Sequence, residues 1–554
     1  MPERRSKAEI AKDTKRKFDR AVSNRGTLES HWEEIARRVL PSYAGSFTNK
    51  GVTTEGEKRT EDMIDATAAL ALPKFAAAME SMLTPRNQTW HRLQPMDKSL
   101  MRNRTVRMYY DDVTEILFRY RYAPRANYAS QQHETYMGLG AFGTGAMYVD
   151  QLKWFNERGL RYRAIHLSEI VFLANHQGII DTALRRFELT ARQAVQKFSR
   201  PDGSTDLPKK ITDANADEKK CDDKFWFIHC VEPRTEEDGY DPQRVDIEGM
   251  RFASRYVSEE ECTIVEEGGH NTFPYPISRY VVAPGEIYGR SPAMLALPSI
   301  KVLNEEKKTV LEQGHRTVRP VLLAHDDGVL DSFSMKPGAM NYGGVSAEGR
   351  QLVHALPVGN IMIGKDLMDD ERLVINDAFL VTLFQLLTET PQMTATEVLE
   401  KVREKGALLS PTMGRQQSEF LGPMIEREID VLSMQGLLPQ KPPILREFEA
   451  EYETIYDSPL SRAQRAENAS GFMRWIGNAM EYVKMTGDAR PLDWANWDSA
   501  QPELADVMAV PARWVNGIDQ VLQLRAARDE AANAQQMIEA APAVAGVAKA
   551  VQGA

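Results

Sequence analysis

A glycine and lysine motif at residues 359–366, GNIMIGKD, has the spacing of a loop that could bind nucleotide phosphates. In such loops backbone N–H groups surround the phosphates, a lysine contacts them, and a serine or threonine hydroxyl holds magnesium. Here Asp366 follows Lys365 in place of the hydroxyl, and its negative charge would repel phosphate. Pro357 also makes the preceding segment a poor central strand. The residues therefore predict a turn that enters a helix, with Asp366 near the positive end of the helix dipole.

A second glycine motif, GLGAFG at residues 138–143, has the spacing of a dinucleotide-binding loop. That fingerprint requires a strand before the glycines and a helix after them. The order here is reversed, because the helical pattern ASQQHETYM precedes the motif and the strand pattern AMYVD follows it. The glycines therefore predict a turn from a helix into a strand rather than a cofactor site.

The histidines, cysteines and paired aspartates lack the spacing of metal sites. The chain has 10 histidines and 3 cysteines, without an HExxH or a CxxC motif. Aspartates that are adjacent in sequence, at 111–112, 326–327 and 369–370, point in different directions on a helix or a strand. We therefore expect no catalytic residue, no metal site and no cofactor. A nuclease site built from distant acidic residues would leave no trace in these patterns, so an enzyme remains the alternative.

Composition and charge restrict the partners. The 554 residues are 42% hydrophobic and can form several cores, and 79 acidic against 69 basic side chains give a formal charge of −10. Proteins that hold duplex DNA tightly present a basic surface to the phosphates, so this balance disfavours stable DNA binding. An acidic wall instead suits a conduit along which DNA must slide.

The chain shows no membrane or export signal. No segment approaches the roughly 20 apolar residues of a membrane span. The N-terminal MPERRSKAEIAKDTKRKF carries charges without the apolar part of a secretory signal. We therefore expect a soluble protein that assembles in the reducing cytoplasm.

The clearest structural signal is the segment 391–427, PQMTATEVLEKVREKGALLSPTMGRQQSEFLGPMIER. Thr394 or Thr396 can cap a helix there, because a side-chain oxygen accepts the unpaired backbone N–H groups of a first turn. Apolar residues then recur at three-to-four spacing on both sides of Pro411. Since proline removes a backbone donor and clashes with the preceding turn, we predict two helical halves joined at a kink near Ser410.

The N-terminal half divides into helical and strand patterns. Three-to-four spacing predicts helices after Gly26, over 62–83 and over 104–120. From Ala146 to about Tyr280, short runs of β-branched and aromatic residues predict a mostly antiparallel sheet region. Within it the polar stretch 199–224 predicts an exposed loop.

Helical patterns return in the C-terminal half. Helices are predicted over 291–316 and 367–388, and the 317–364 interval between them is extended and rich in proline and glycine. The second helix has a broad apolar face formed by Leu373, Val374, Phe379, Leu380, Leu383, Phe384 and Leu387. Residues 441–525 are predicted to be helical, and their expected core residues are Trp475, Trp494, Trp497 and Trp514.

Three segments of the chain resemble one family. The MTATEVLE opening and the LLSPTMGRQQSEF run within 391–427 resemble head-to-tail connecting proteins, the portal proteins of short-tailed double-stranded DNA bacteriophages. HWEEIARRVLP, followed by DATAALALPKFAAAMESMLTP, resembles a second segment of that family, and IYGRSPAMLALPSIKVLNEEKK a third. The segments occur in the family's order and bracket most of positions 27–440.

The resemblance implies an α+β, mainly helical portal protein fold with wing, stem, clip and crown regions, assembled as a ring. The implied regions are 1–290 for the wing with its N-terminal helices and β-rich part, 291–316 for the first stem helix, 317–364 for the clip, 365–390 for the second stem helix and the start of a channel loop, 391–440 for a kinked wing helix, 441–525 for a helical crown and 526–554 for an alanine-rich tail.

The implied role is that of a head-tail connector in the virion. The family forms a ring, usually of twelve subunits, at one capsid vertex, where double-stranded DNA is packaged, retained and later ejected through a central channel. A separate terminase drives packaging, and the ring also contacts scaffold, major capsid and tail adaptor proteins, with no membrane. The alternatives are another ring-forming virion component, or an enzyme of the terminase or nuclease type.

The resemblance also implies two sets of candidate residues. The candidate DNA contacts in the channel are the cations on or beside the first stem helix, Lys301, Lys307, Lys308, Arg316 and Arg319. The same cations could instead pair with Glu305, Glu306 and Glu312 at an interface between subunits. The candidate channel loop is the short connection after the second stem helix, with Glu389, Thr390, Pro391, Gln392 and Met393.

Overall fold

The computed structural model describes residues 5–532, except 49–55, 87, 154–156, 201, 203, 325–333, 335, 347, 358–360, 383–410, 448–450, 457–458, 489, 508–509, 511–513 and 517–519. Helices and antiparallel strands both contribute to the described part, as predicted for an α+β chain. Among these residues no helix is both long enough and apolar enough to cross a membrane.

The N-terminal part is mainly helical. Its elements are α1 (Lys7–Asn24), α2 (Gly26–Val39), α3 (Thr67–Leu83), the short strand β1 (His91–Pro95), α4 (Arg104–Arg121) and α5 (Tyr128–Phe142). The apolar spacing that predicted α2 places Trp32, Ile35 and Val39 in the core. The helices predicted after Gly26, over 62–83 and over 104–120 are confirmed, although α3 begins only at Thr67.

The predicted antiparallel sheet region is confirmed and contains two sheets. Strands β2 (Thr144–Gln151), β3 (Leu160–Ile165) and β9 (Ile277–Arg279) form one sheet with β2 in the middle. The other sheet has the order β4-β5-β6-β7-β8, with strands Ile170–Ala174, Ile180–Thr190, Lys224–Pro233, Phe252–Ser258 and Thr263–His270. Every strand pair in both sheets is antiparallel.

The stretch 199–224 is not only a loop. Helix α6 (Ala191–Phe198) ends just before it, and helix α7 (Lys209–Ala216) lies within it. Ile211 and Ala214 of α7 are buried against Phe198 and Phe227 in a small cluster beside the five-stranded sheet. The prediction of a loop was wrong here because two apolar residues at a three-residue spacing suffice to hold one short helix.

Two helices flank the extended interval. Helix α8 (Pro292–Val318) is followed by β10 (Leu322–Ala324) and β11 (Val353–Ala355), which pair antiparallel, and then by α9 (Ile361–Ala378). The helix predicted over 291–316 is confirmed. The core joins the N-terminal helices and the three-stranded sheet to the first half of α8 and to parts of α9.

A π-helix interrupts the helical segment that follows. Residues 411–415 are α-helical, Gln416–Leu421 form the π-helix, and α10 (Gly422–Met434) continues from it. Because Pro423 has no N–H, it cannot make the regular bond to the carbonyl four residues earlier, and the wider turn lies next to this gap. Ser410, where the kink was predicted, lies outside the described residues.

The last described part is not wholly helical. It contains α11 (Pro443–Glu447), strand β12 (Tyr452–Tyr456), α12 (Pro459–Thr486), α13 (Trp497–Val507) and helical residues 520–532. Strand β12 pairs antiparallel with β1, His91 facing Tyr456. The prediction of helix throughout 441–525 is therefore corrected at β12, whose sequence YETIY favours a strand once a partner edge is present.

The predicted tryptophan core is also corrected. Trp494 and Trp514 are 84% and 72% exposed, and Trp475 and Trp497 are 45% and 38% exposed. Phe472 contacts two of these rings, with centroids 5.8 Å from Trp475 and 6.3 Å from Trp497. Rings as exposed as these do not form a core among the described residues of one chain.

Candidate functional site

Helix α8 starts from a fixed point in the core and then leaves it. The Ser291 hydroxyl accepts the backbone N–H of Met294 at 2.9 Å and donates to the carbonyl of Ala141 at 2.8 Å. The buried side chains of α8 all lie in its first half, at Pro292, Ala293, Ala296, Leu297, Ile300, Leu303 and Asn304. The second half of α8 therefore projects from the packed body.

Helix α9 packs closely along α8, and part of the GNIMIGKD motif lies at this contact. A Cβ on Gly364 would come within 2.6 Å of Cγ2 of Val310, so glycine permits the two helices to approach. Gly364 and Lys365 belong to the first turns of α9, which begins at Ile361. The helix entry predicted for this motif is thus present, whereas Gly359 lies outside the described residues.

Asp65, in the segment before α3, fastens α8 to α9. Its carboxylate accepts Nζ of Lys307 from α8 at 3.1 Å and Nη2 of Arg372 from α9 at 3.0 Å. The amide oxygen of Asn304 accepts the backbone N–H of Asp65 at 2.8 Å. Burial opposes the charged form, but hydrogen bonds from Thr67 and then from Arg372 and Lys307 hold the pKa of Asp65 well below its ordinary value.

The candidate DNA cations separate into two groups. Lys301 pairs with Glu34 of α2 at 2.5 Å, and Lys307 pairs with Asp65. Both acids belong to the N-terminal part of the same chain, which neither sequence interpretation considered. The remaining cations are exposed and form no ion pair with another described residue: Lys308, Arg316 and Arg319. Whether any of the five contacts DNA stays a prediction.

The helical conformation is interrupted directly after α9. Leu380 has a φ of +59°, in the left-handed region that residues other than glycine rarely adopt. Its neighbours Phe379 and Val381 are buried, so packing on both sides fixes the turn. The helix predicted over 367–388 is thus interrupted at 379–380. The candidate channel loop, Glu389 to Met393, lies outside the described residues and stays a prediction.

The second glycine motif forms the predicted turn between α5 and β2. Gly143 ends α5 with a φ of +77°, and its N–H donates to the carbonyl of Leu139 at 3.0 Å. A Cβ at Gly143 would collide with the carbonyl of Gly289. Close backbone approach therefore explains this glycine.

The acidic and histidine residues form no metal cluster in the described ranges, where no group of three or more potential ligands converges. His229 is buried, with ring nitrogens 2.6 Å from the Tyr275 hydroxyl and 2.9 Å from Oγ of Ser254. Its ring stacks on Tyr256 at a centroid distance of 4.1 Å. Burial lowers the pKa of His229, so the ring stays neutral and packs in the core.

A buried ion pair joins distant parts of the chain and left no sequence signal. Arg121 of α4 donates to Glu428 of α10 at 3.0 and 2.5 Å, and both side chains are fully buried. The Tyr162 hydroxyl donates to the same carboxylate at 2.6 Å. The guanidinium also lies 4.7 Å from the Trp90 ring centroid. This group fixes the position of α10 against the N-terminal helices.

Comparison with known proteins identifies the family. The family model described as "Bacteriophage head to tail connecting protein" matches residues 11–515. A "Probable portal protein" of Bordetella phage BPP-1 is 28% identical over 540 residues, which cover 95% of this chain and 93% of that protein. A "Portal protein" of Salmonella phage epsilon15 is 24% identical over 536 residues, covering 95% and 92%. The family predicted from the three sequence segments is confirmed.

Proposed function

This chain belongs to the family of bacteriophage head-to-tail connecting proteins, and on that premise we propose that it is a portal protein. It forms a closed ring, with twelve subunits as the expected number, at one vertex of the capsid. DNA enters the capsid through the ring during packaging, is retained there, and leaves by the same route. The observation that carries the proposal is the continuous match over 11–515, together with relatives that cover nearly the whole chain.

The α8 and α9 pair supports the proposed arrangement. Helix α8 starts in the packed body and projects from it, and α9 returns alongside. The β10 and β11 pair lies between them in sequence, at the far end of the projection. We assign α8 and α9 to the stem, and the 317–364 interval to a clip that docks first the terminase and then the tail adaptors. The parts before α8 form the wing, and those after 440 form the crown.

Charge supports a channel through which DNA slides. Each chain carries a formal charge of −10, so twelve copies would carry about −120. On average such a ring repels duplex DNA, so it does not hold the duplex tightly, and this permits movement in both directions. Local contacts then come from exposed cations on the projecting half of α8 or directly after it, of which Arg316 and Arg319 are the candidates. The loop 389–393 is the proposed constriction.

Electron microscopy of the purified protein tests the proposal directly. Negatively stained particles should be rings with an axial hole wide enough for duplex DNA, and native mass spectrometry should give one closed oligomer. A chain that stays monomeric at micromolar concentrations would contradict the proposal. Measured ATP hydrolysis or DNA cleavage at turnover rates above those of a buffer control would instead favour an enzyme.

A further inference from the structure

Two carboxylates, one on α8 and one on α9, lie close together and have no hydrogen-bond partner among the described residues. Glu306 lies on α8 and Glu371 on α9, and one oxygen of each is inaccessible and accepts no hydrogen bond from a described residue. The neighbouring cations Lys307 and Arg372 are held by Asp65 instead. Burial and then the charge of Glu371 raise the pKa of Glu306. This carboxylate pair is therefore an unfilled acceptor for a cation.

An exposed apolar stripe runs beside the carboxylate pair. Ile363, Leu367 and Val374 of α9 are 61%, 50% and 52% exposed. Their spacing of four and seven residues places them on one flank of the helix, and Glu371 lies four residues after Leu367 on the same side. Solvated acidic residues alone need no apolar surroundings. An exposed apolar stripe bordered by polar residues marks a surface that contacts another protein.

The opposite edge of α8 carries an exposed lysine, Lys308. Lys301 and His315 lie seven residues to either side of it on the same edge, and Lys301 is paired with Glu34. Glu305 and Glu312 lie three and four residues from Lys308, and neither forms an ion pair with it. Since a helix turns about 100° per residue, Glu306 points about 200° away from Lys308, to the other side of α8. Leu311, which is 52% exposed, lies one turn after Lys308 on the same edge. The projecting helix pair thus presents a carboxylate groove on one side and a cation with an apolar neighbour on the other.

We infer that the carboxylate pair Glu306 and Glu371 receives Lys308 of a second copy of this chain. The inference rests on the proposed ring and names a contact that closes it. The neighbouring copy's Leu311 then covers the stripe around Leu367. The carboxylate side of one copy meets the Lys308 side of the next, so the contact is a head-to-tail interface. Repeated around a closed ring, it pairs both sides of every copy. Lys308 is accordingly an interface residue rather than a DNA contact.

Charge reversal at each edge tests the contact. Lys308→Glu would place three carboxylates together, and Glu371→Lys would place a lysine against Lys308. For each variant alone, the protein concentration at half-maximal ring formation should be at least about tenfold higher than for wild type, because like charges at an interface are strongly unfavourable. Ring yield is measured by native mass spectrometry without DNA, after circular dichroism has shown the helix content of the wild type.

An equimolar mixture of the two single variants separates this contact from general damage. In an alternating ring every contact pairs one cation with one carboxylate edge, so the mixture should form rings at close to the wild-type concentration. The double variant Lys308→Glu with Glu371→Lys should assemble alone. Matched reversals on the exposed face of α7, Lys209→Glu and on the following turn Glu218→Lys, should leave ring yield unchanged.

The wild-type ring offers a second measurement. Carbodiimide treatment of rings assembled from isotopically light and heavy chains should link a Lys308 peptide of one chain to a Glu306 or Glu371 peptide of another. If wild-type rings form but both single variants assemble equally well, or if the mixture fails where wild type succeeds, the inference is wrong and the proposed function stands. A wild-type chain that forms no rings overturns both.

Discussion

Asp65→Asn should loosen α9 from α8 while leaving the rest of the chain folded. The substitution removes the charge that Lys307 and Arg372 share, at 3.1 and 3.0 Å. The amide oxygen can still accept from Thr67, so the start of α3 keeps its local bond. The change therefore acts on the link between the two projecting helices.

The size of the effect follows from burial. A hydrogen bond to a charged group contributes about 1.5–3 kcal/mol when its partner is removed. The side chains of Lys307 and Arg372 are 32% and 33% exposed, so water replaces part of each bond. We expect the opening free energy of α9 to fall by about 2 kcal/mol, which corresponds to roughly 30-fold faster amide hydrogen exchange.

Asp369→Asn is the matched control. Asp369 also binds Arg372, at 2.7 Å, but it is 54% exposed and lies on the same helix. An exposed pair of this kind contributes about 0.3–0.5 kcal/mol, so exchange in α9 should rise no more than about twofold. Unchanged exchange in Asp65→Asn, or an equal effect of both variants, would refute the role assigned to Asp65.

The same comparison has a defined pH dependence. The pKa of Asp65 is lowered in the folded chain, so its stabilisation is complete above the ordinary aspartate pKa and is lost as the pH falls through the folded value. The difference in α9 exchange between wild type and Asp65→Asn should therefore be constant from about pH 8 to pH 5 and should shrink below about pH 4. A difference that grows as the pH falls would contradict the sign of this linkage.

Other substitutions test the core and the proposed channel. Arg121→Leu should lower the free energy of unfolding by about 3–5 kcal/mol, because it leaves Glu428 charged and buried, and thermal unfolding should show this. Gly143→Ala should reduce the yield of folded protein, since a φ of +77° and the carbonyl of Gly289 both exclude a side chain. Gly436→Ala is the control, because Gly436 also has a positive φ but open space around it, and it should lower the free energy of unfolding by only about 1 kcal/mol. Deleting residues 389–392 should leave ring yield in size-exclusion chromatography nearly intact but lower the DNA content of purified particles, and a failure of ring formation would make the loop an assembly element.

Local patterns predicted the elements well, and distant partners account for what they missed. The three-to-four spacing of Trp32, Ile35 and Val39 is a property of α2 alone, so the sequence predicts that helix. The Asp65 link cannot be predicted in this way, because its partners lie 242 and 307 residues away. Strand β12 was missed for the same reason, since its partner β1 lies far back in the chain.

At the candidate site, too, the partners of charged side chains could not be predicted from the sequence. Sequence placed five cations on or beside α8 and offered acidic residues of that helix as their partners. In the structure Lys301 pairs with Glu34 and Lys307 pairs with Asp65. Both acids lie near α8 only after the chain has folded. Net charge and helical spacing identified the basic residues, but they could not assign them, because an ion pair depends on the desolvation and distance of both groups.

The apolar residues that proved to be exposed carry information about the assembled state. Leu373 and Val374 were expected to be buried by helical spacing, yet they are 59% and 52% exposed, and the tryptophans after 470 are exposed as well. Apolar periodicity predicts that a face is covered, but it does not specify whether the covering residues belong to the same chain. A single layer of projecting helices cannot cover both of its own sides. For α9, the apolar stripe borders two carboxylates that have no ion-pair partner in the described part of the chain. The proposed contact with Lys308 and Leu311 of a neighbouring copy would account for the difference between the predicted and the observed burial.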